Sequence, residues 1–308
     1  SELQAKIRQQ FDAVTYPRIP VEKSPQNDYE LLFLHNLITP YYLRNQKVIE
    51  TKGKVILDAG CGSGYKALVL AMANPGAQIV GIDISEKSVE LARQRLQYHG
   101  FDNAEFHVLP IEELPSLGLE FDYINNDEVL YLFPDIVVGL QAMKSVLKPD
   151  GIIRTNLHSS LQRHAIFRVQ EMFQMMGLMN ENPGEMEMEV ARETFDALKD
   201  SIILKRQVWN PEMAKNEEWI QMNYLLVGDK GYTIQEVFAA LKSANLEFIS
   251  MLKWRQWEIL DLFKSEDELP VFLGVGLSEI SVEERLHLFE LLQPCLLYTS
   301  DAADESLC

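Results

Sequence analysis

An α/β fold on a doubly wound, mostly parallel sheet is predicted by three observations. Short apolar runs alternate with helical stretches from residue 54 to residue 158. Glycines crowd behind the first of these runs, in "KVILDAGCGSGYKALVLA". The polar ends of five successive runs fall at equivalent places, as strand ends do along one edge of a parallel sheet. At 308 residues, with 47% hydrophobic and 24% charged residues, the chain has room for one large domain or two ordinary ones with a well-buried core.

In chain order, residues 1–13 form an amphipathic helix, not a signal peptide. The following "TYPRIPVEKSPQND" carries three prolines that forbid a continuous helix. Residues 28–46 read as a helix interrupted at Pro40. "KVILDAG" suits a strand buried on both faces, and "GYKALVLAMAN" a helix ending near Pro75. "AQIVGIDIS" is a second strand; the helix after it is capped by Ser85 or Ser88 and stopped by Gly100. "AEFHVLP" and "FDYINND" are the third and fourth strands. "PDIVVGLQAMKSVLKPDG" is a helix broken by Pro149, and "GIIRTNLH" the fifth strand.

Residues 160–230 read as a helical insert or lid. Met172, Met175, Met176, Met179, Met186 and Met188 lie at helical spacing there, which suits a core or an adaptable lid. Residues 231–294 either complete the core, with a helix ending near Asn245 and then a strand, or form a small C-terminal domain. Residues 1–48 are an N-terminal cap and 49–159 the cofactor-binding core. Residues 295–308 show no periodicity tied to the helix before them and read as a non-native tail, which removes Cys295 and Cys308 from the chemistry.

The net charge of -18 opposes general binding to nucleic acid and describes a solvated acidic surface, while leaving room for a local basic patch of Arg154, Arg163 and Arg168. The three cysteines fit no paired framework and no metal-ligand spacing, which points to a reducing cytoplasm and no metal. No apolar run approaches the roughly 18 residues of a membrane span.

In a doubly wound sheet, ligands bind beyond the carboxyl ends of the strands. That edge collects Asp58 to Gly64, Asp83, Pro110, Ile111, Asn125 to Glu128, and His158. The loop from the first strand runs into a helix N-terminus, where unpaired N–H groups face a ligand and Gly60, Gly62 and Gly64 permit close approach. Asp83 ends the second strand, where a carboxylate accepts both hydroxyls of a ribose. A dinucleotide fingerprint is spaced G-x-G-x-x-G; here the spacing is shorter, and Asp58 ahead of it repels a pyrophosphate.

"VILDAGCGSG", "IVGIDIS", "FDYINNDEVLYLF" and "LKPDGII" resemble the successive motifs of the class I S-adenosylmethionine-dependent methyltransferases over residues 54 to about 158. The resemblance implies a Rossmann-like core with Asp58, Gly60 and Gly62 at the methionine end of the cofactor and Asp83 on the ribose. Cys61, Gly64, Ile84, Asn125 and Asn126 join the cofactor-facing set. Where the family usually places an acid against adenine this chain has Pro110, with Ile111 offering an N–H and an apolar face and Glu112 standing in as the acid. A sulfonium methyl is already electrophilic, so transfer asks chiefly for an aligned nucleophile and, for an acceptor that loses a proton, a base. Candidates for that chemistry are Asp127, Glu128, Tyr131 and His158.

"FDAVTYPRIPVEKSP", "FDYI" followed by "VLYLFP", and the Arg- and Met-rich helix also resemble a bacterial group with a methyltransferase regulatory region, some of whose members are protein-lysine methyltransferases. That likeness implies a substrate entrance at Tyr16, Pro17 and Arg18. The expected function is methyl transfer to an unidentified acceptor, narrowly a protein side-chain amine. A small-molecule methyltransferase, a non-catalytic cofactor-binding module and a nicotinamide-dependent oxidoreductase stand as alternatives.

Overall fold

The computed structural model describes residues 2–13, 16–265 and 268–294. A five-stranded sheet forms from β1 (Val55–Ala59), β2 (Gln78–Asp83), β3 (Ala104–Val108), β4 (Phe121–Asn126) and β5 (Leu147–Thr155), in the order β3-β2-β1-β4-β5. Every pairing in it is parallel. β1 is the hinge of this order: β2 and β3 lie to one side and β4 and β5 to the other, with Asp58 beside both Gly81 and Asn125. The unbroken apolar runs follow from burial on both faces. Leu57, Val80 and Ile124 pack on one side of the sheet, and Ile56, Ile79 and Tyr123 on the other.

Helices α4 (Tyr65–Ala73), α5 (Glu86–Tyr98) and α6 (Ile136–Ser145) supply the cover. α4 ends at Asn74, ahead of Pro75, and α5 starts from Ser85, whose side chain accepts from the N–H of Ser88. α6 ends at Ser145 and β5 begins at Leu147, so the expected break at Pro149 lies inside an irregular strand start rather than at a helix end.

The helix expected over residues 28–46 is two helices, α2 (Tyr29–Leu34) and α3 (Ile38–Asn45). Pro40 sits in the first turn of α3, where a missing N–H costs nothing. The break comes at residues 35–37 because their polar groups are drawn to α4: Leu37 N–H and His35 C=O bond the side chain of Asn74, and Asn36 donates to Ala73 O.

The segment after α1 (Glu2–Ala13) is pinned on the glycine loop. Ser63 donates its N–H to Tyr16 O at 2.9 Å and its hydroxyl to Pro17 O at 2.8 Å. Arg95, fully buried, donates to three carbonyls: Ser63 at 2.9 Å, Pro20 at 2.7 Å and Ile19 at 2.6 Å. The chain thereby crosses Gly62, which has φ +48 and whose absent Cβ would collide with Tyr16 O.

Beyond β5, His158 does not extend the fifth strand as expected. It belongs to β6 (His158–Ser159), which pairs in parallel with β7 (Gly231–Tyr232). Between them lie α7 (His164–Met175), α8 (Glu185–Ala197), α9 (Ile203–Val208) and α10 (Glu217–Tyr224), around a cluster that includes Phe173, Phe195 and Tyr224. Met188 is buried in it, whereas Met175, Met176 and Met186 face solvent.

The strand expected after Asn245 is absent from residues 246–250. Leu246, Ile249 and Phe248 are each drawn to a different apolar cluster, so no face is left to lay against the sheet. α11 (Ile234–Ser243) packs on α6, while α12 (Val271–Glu279) and α13 (Val282–Leu292) gather on Trp257, Leu277 and Phe289. The expected non-native tail, residues 295–308, lies outside the described residues.

Replacing Gly62 by Val puts a β-branched side chain at a left-handed position and into the Tyr16 carbonyl. The expected cost is about 1–3 kcal/mol. Chemical unfolding of Gly62→Val beside Gly53→Val, where φ is also positive but nothing lies within 4 Å, isolates the contribution of the collision.

Candidate active site

A cavity of about 600 Å³ opens at the carboxyl edge of the sheet, at the β1/β4 switch point. Gly60, Cys61 and Gly62 floor it, with Asp83 and Ile84 from the end of β2 and Leu109, Ile111 and Glu112 after β3. Asp127, Glu128 and Tyr131 follow β4, and His158 comes from β6. α1 and the strap after it roof the space with Ile7, Phe11, Tyr16 and Pro17, and Arg163, Trp219 and Met222 close it from the insert. The volume is that of a ligand pocket, for which roughly 300–1,000 Å³ is usual.

The glycine loop does not present the free N–H groups expected of it. Gly60 and Cys61 both donate to Ile82 O at 2.8 Å, Gly62 to Asp83 Oδ2 at 2.9 Å, Ser63 to Tyr16 O and Gly64 to Cys61 O. Nothing in that run is left to cradle a pyrophosphate. The spaces beside the three glycines are also filled by protein: by Val129 at Gly60, Tyr16 O at Gly62 and Ala92 at Gly64. Asp83 accepts from the Gly62 N–H on Oδ2 and the Ser85 N–H on Oδ1; burial raises its carboxyl against the pull of these and of the Ile84 N–H.

Asp58, Gly64, Pro110, Asn125 and Asn126 do not line the cavity. Asn126 is buried, donating to Ala59 O and accepting from Thr155. Asn125 donates to Asp58 Oδ1 at 2.9 Å, leaving Asp58 Oδ2 and Asn125 Oδ1 buried without partners. Burial pushes the Asp58 carboxyl up to about 7 against the pull of that hydrogen bond. A carboxyl raised this far adds, in its protonated form, a donor to a pair whose two free oxygens are both acceptors. Asp58 stands outside the cavity lining.

Asp127 faces the cavity but belongs to an ion cluster. Arg154 lies 3.2 Å, His35 3.3 Å and Lys66 3.6 Å from its Oδ2. Burial alone would raise this carboxyl; Arg154, Lys66 and His35 outweigh it and hold it far below the carboxylate range. His35 stands between two acceptors, Leu31 O and Asp127, an arrangement that favours an imidazolium. Burial and the neighbouring cations prevail and push it down to about 4. Asp127 is therefore a fixed anion, too weak a base to take an acceptor's proton at neutral pH.

Glu128, Tyr131 and His158 form the second group. Glu128 has φ +61, held there by Asn156, whose side chain accepts from the Glu128 N–H at 2.7 Å and donates to Oε1. Its Oε2 accepts from the Tyr131 hydroxyl at 3.1 Å and lies 3.5 Å from His158 Nε2. The Tyr131 and His158 rings stack at 3.7 Å. His158 Nδ1 lies 2.6 Å from Asp229 Oδ1, 71 residues on. Burial and Arg163 work to lower the His158 pKa, and Asp229 and Glu128 reverse this and raise it above the usual value.

Neither Asp229 nor the Asp127 cluster was foreseen from the sequence. The only mark of Asp229 is the turn "GDKG" ahead of a short apolar pair, and nothing marks His35. The three arginines do not gather into a basic patch: Arg154 is buried on Asp127 and Arg163 on Asp229, while Arg168 bonds Gln207. The six insert methionines named above are absent from the cavity lining. Arg18 is also absent; it bonds Glu217 and Glu218 and so ties the strap to α10.

A cavity at the switch point, an acid ending β2 and a glycine loop with no anion cradle define a Rossmann-like enzyme for a nucleoside cofactor without a pyrophosphate. Residues 50–245 match the methyltransferase domain family. The chain belongs to that family, within the class I S-adenosylmethionine-dependent methyltransferases, and S-adenosylmethionine is its cofactor. An uncharacterized protein of Synechococcus is 29% identical over 290 residues, 92% of this chain and 67% of its own length. The ubiquinone biosynthesis O-methyltransferase of Actinobacillus pleuropneumoniae is 32% identical over 134 residues, 42% of this chain and 56% of that protein. The structure of PKMT2 from Rickettsia typhi in complex with AdoHcy shares the fold with a TM-score of 0.66 at 19% identity, over 86% of this chain and 52% of that one. The chain thus spans only part of the length of these relatives. No helix among the described residues is long and apolar enough to cross a membrane.

Two outcomes check the buried carboxyls. Asp58 is raised, so the stability it contributes is present below the ordinary carboxylate range and lost as pH rises toward about 7. Asp58→Asn, which keeps a donor permanently, is expected to unfold at the same or higher urea concentration than wild type at pH 8, and Asp58→Ala to lose about 1–3 kcal/mol. Asp127 and Asp229 are depressed, so their contribution is present above the ordinary carboxylate value and lost as pH falls below it. Urea midpoints measured from pH 7 down to pH 3 are expected to fall most steeply below about 4.

Proposed function

We propose that this enzyme methylates an amine on a protein side chain, with His158 receiving the acceptor's proton. The carrying observation is the position of His158: Nδ1 on Asp229, and Nε2 beside Glu128 in the cavity wall. When bound, S-adenosylmethionine supplies an electrophilic methyl, and its sulfonium leaves as a neutral thioether. Asp83 holds the ribose hydroxyls, Ile84 and Ile111 flank the adenine with Glu112 at its edge, and Gly60, Cys61 and Gly62 border the methionine end. Asp58, Gly64, Pro110, Asn125 and Asn126 shape that site from behind. Asp127 keeps the cavity wall charged and rigid rather than moving a proton.

Glu128 attracts the ammonium of an incoming side chain but also raises its pKa. The amine attacks only when neutral, so its proton passes to His158 as the nitrogen lone pair is freed for the methyl. Because the His158 pKa is raised, transfer is expected to increase as pH climbs through that value and to fade on the acid side. Tyr16 and Pro17 form the entrance, residues 1–48 act as its cap, residues 160–230 as its lid, and residues 231–294 support the core. The acidic surface steers a basic partner and disfavours nucleic acid. The unpaired, buried Cys61 supports a reducing, cytoplasmic setting for the enzyme.

A second reading, a small apolar acceptor, is favoured by the wall of Ile7, Phe11, Leu132, Phe133 and Met222. Methyl-labelled cofactor added to lysate decides between them: label in protein is expected, and label confined to small molecules overturns the protein acceptor. Calorimetry tests the cofactor site separately. Asp83→Ala is expected to weaken S-adenosylmethionine binding by about 1.5–3 kcal/mol, the usual worth of a hydrogen bond to a charged group.

A further inference from the structure

We propose that Asp229 is a positioning residue for methyl transfer, fixing His158 in the tautomer whose Nε2 lone pair is offered to the acceptor. The proposal rests on the reading of His158 as the proton acceptor, and it adds the group that makes that reading work.

Two short strands bring the pair together. β6 and β7 place His158 beside Gly231 and Ser159 beside Tyr232, and Asp229 lies just ahead of β7. The approach is close: a side chain at Gly231 would stand 2.5 Å from Phe167 and 2.6 Å from Ser160. The Asp229 side chain is completely buried, and both of its oxygens are engaged. Oδ1 faces His158 Nδ1 at 2.6 Å, while Oδ2 accepts from Arg163 at 2.9 Å and from Gln170 Nε2 at 2.8 Å. Gln170 cannot be turned over, because its amide nitrogen also donates to Asn223 O at 2.8 Å. A flipped amide would set its oxygen against two acceptors.

An ionised carboxylate only accepts, so His158 Nδ1 must carry hydrogen. The neutral ring then has its lone pair on Nε2. The proton that Nε2 receives comes to lie toward Glu128 Oε2, 3.5 Å away, and the ring is kept in plane by Tyr131 stacked at 3.7 Å. The charged or titratable groups facing the imidazole are Asp229, Glu128, Arg163 and Tyr131. Two carboxylates thus stabilise the imidazolium against one guanidinium.

The same geometry fixes what asparagine would do at position 229. Arg163 and Gln170 present only hydrogens to Oδ2, so the amide oxygen of Asn must take that place. Its NH2 then points at His158 Nδ1, which is forced to accept. The hydrogen moves to Nε2, and no lone pair is left there to take the acceptor's proton.

Nitrogen NMR of 15N-histidine-labelled protein reads this directly, with the His158 signals among those of the six histidines assigned by His158→Gln. Wild type at a pH where the ring is neutral is expected to show a protonated Nδ1 and a bare Nε2; the opposite tautomer overturns the proposal without reference to any variant. In Asp229→Asn the two signals are expected to exchange character, with cofactor affinity by calorimetry unchanged. Methyl incorporation is expected to fall by about 10²–10⁴, the usual worth of a general base, and to recover in part in Asp229→Glu. A variant that melts earlier but keeps the wild-type tautomer, or flips it and still transfers methyl at the wild-type rate, overturns the assignment. If wild type labels no acceptor of any kind, the functional reading fails and this role fails with it. The wild-type tautomer retained in Asp229→Asn, beside an active wild-type enzyme, sinks Asp229 alone.

Discussion

A carbonyl oxygen sits where residue 62 would need its side chain, and much of the site follows from that contact. Tyr16 O accepts from Ser63 N–H and lies over Gly62, and Arg95 clamps the next turn of the strap through Ile19 and Pro20. With the strap seated, α1 lies across the strand edge, and an open shelf becomes a roofed cavity. Three carbonyl acceptors satisfy one guanidinium here, which is how a buried arginine avoids the penalty of an unpaired charge.

The polar interior shows a consistent division between carboxyls that stay ionised and carboxyls that do not. Asp127 and Asp229 each meet an arginine at about 3 Å and remain anionic despite burial. Asp122, at the far end of the sheet, is held by Lys54 and Lys148. Asp58 has an amide in place of a cation, and burial raises its carboxyl to about 7. All four side chains are buried; the partner decides the charge.

The alternating core was readable because its strands are buried on both faces and its helices begin at recognisable caps such as Ser85. The segment after Asn245 misled because its apolar spacing reports burial, not direction, and its residues serve separate clusters. Within the site, Asp83 and the residues from Asp127 to Tyr131 were legible as strand ends. The satisfied loop was not, since Tyr16 reaches Ser63 through a turn that no local pattern announces. Asp229 was hidden for a related reason: its partner is 71 residues away and the two strands that join them are two residues long each.

That miniature ladder has an architectural consequence. The acid at the end of β2 and the glycine loop are built entirely within the first half of the chain, whereas the imidazole and its carboxylate meet only after the chain has gone out through the insert and come back. On the function proposed above, the grip on the methyl donor and the handling of the acceptor's proton are separate modules joined at one seam. On that proposal, changes in the excursion between β6 and β7 retune which acceptors are activated while the donor pocket stays as it is.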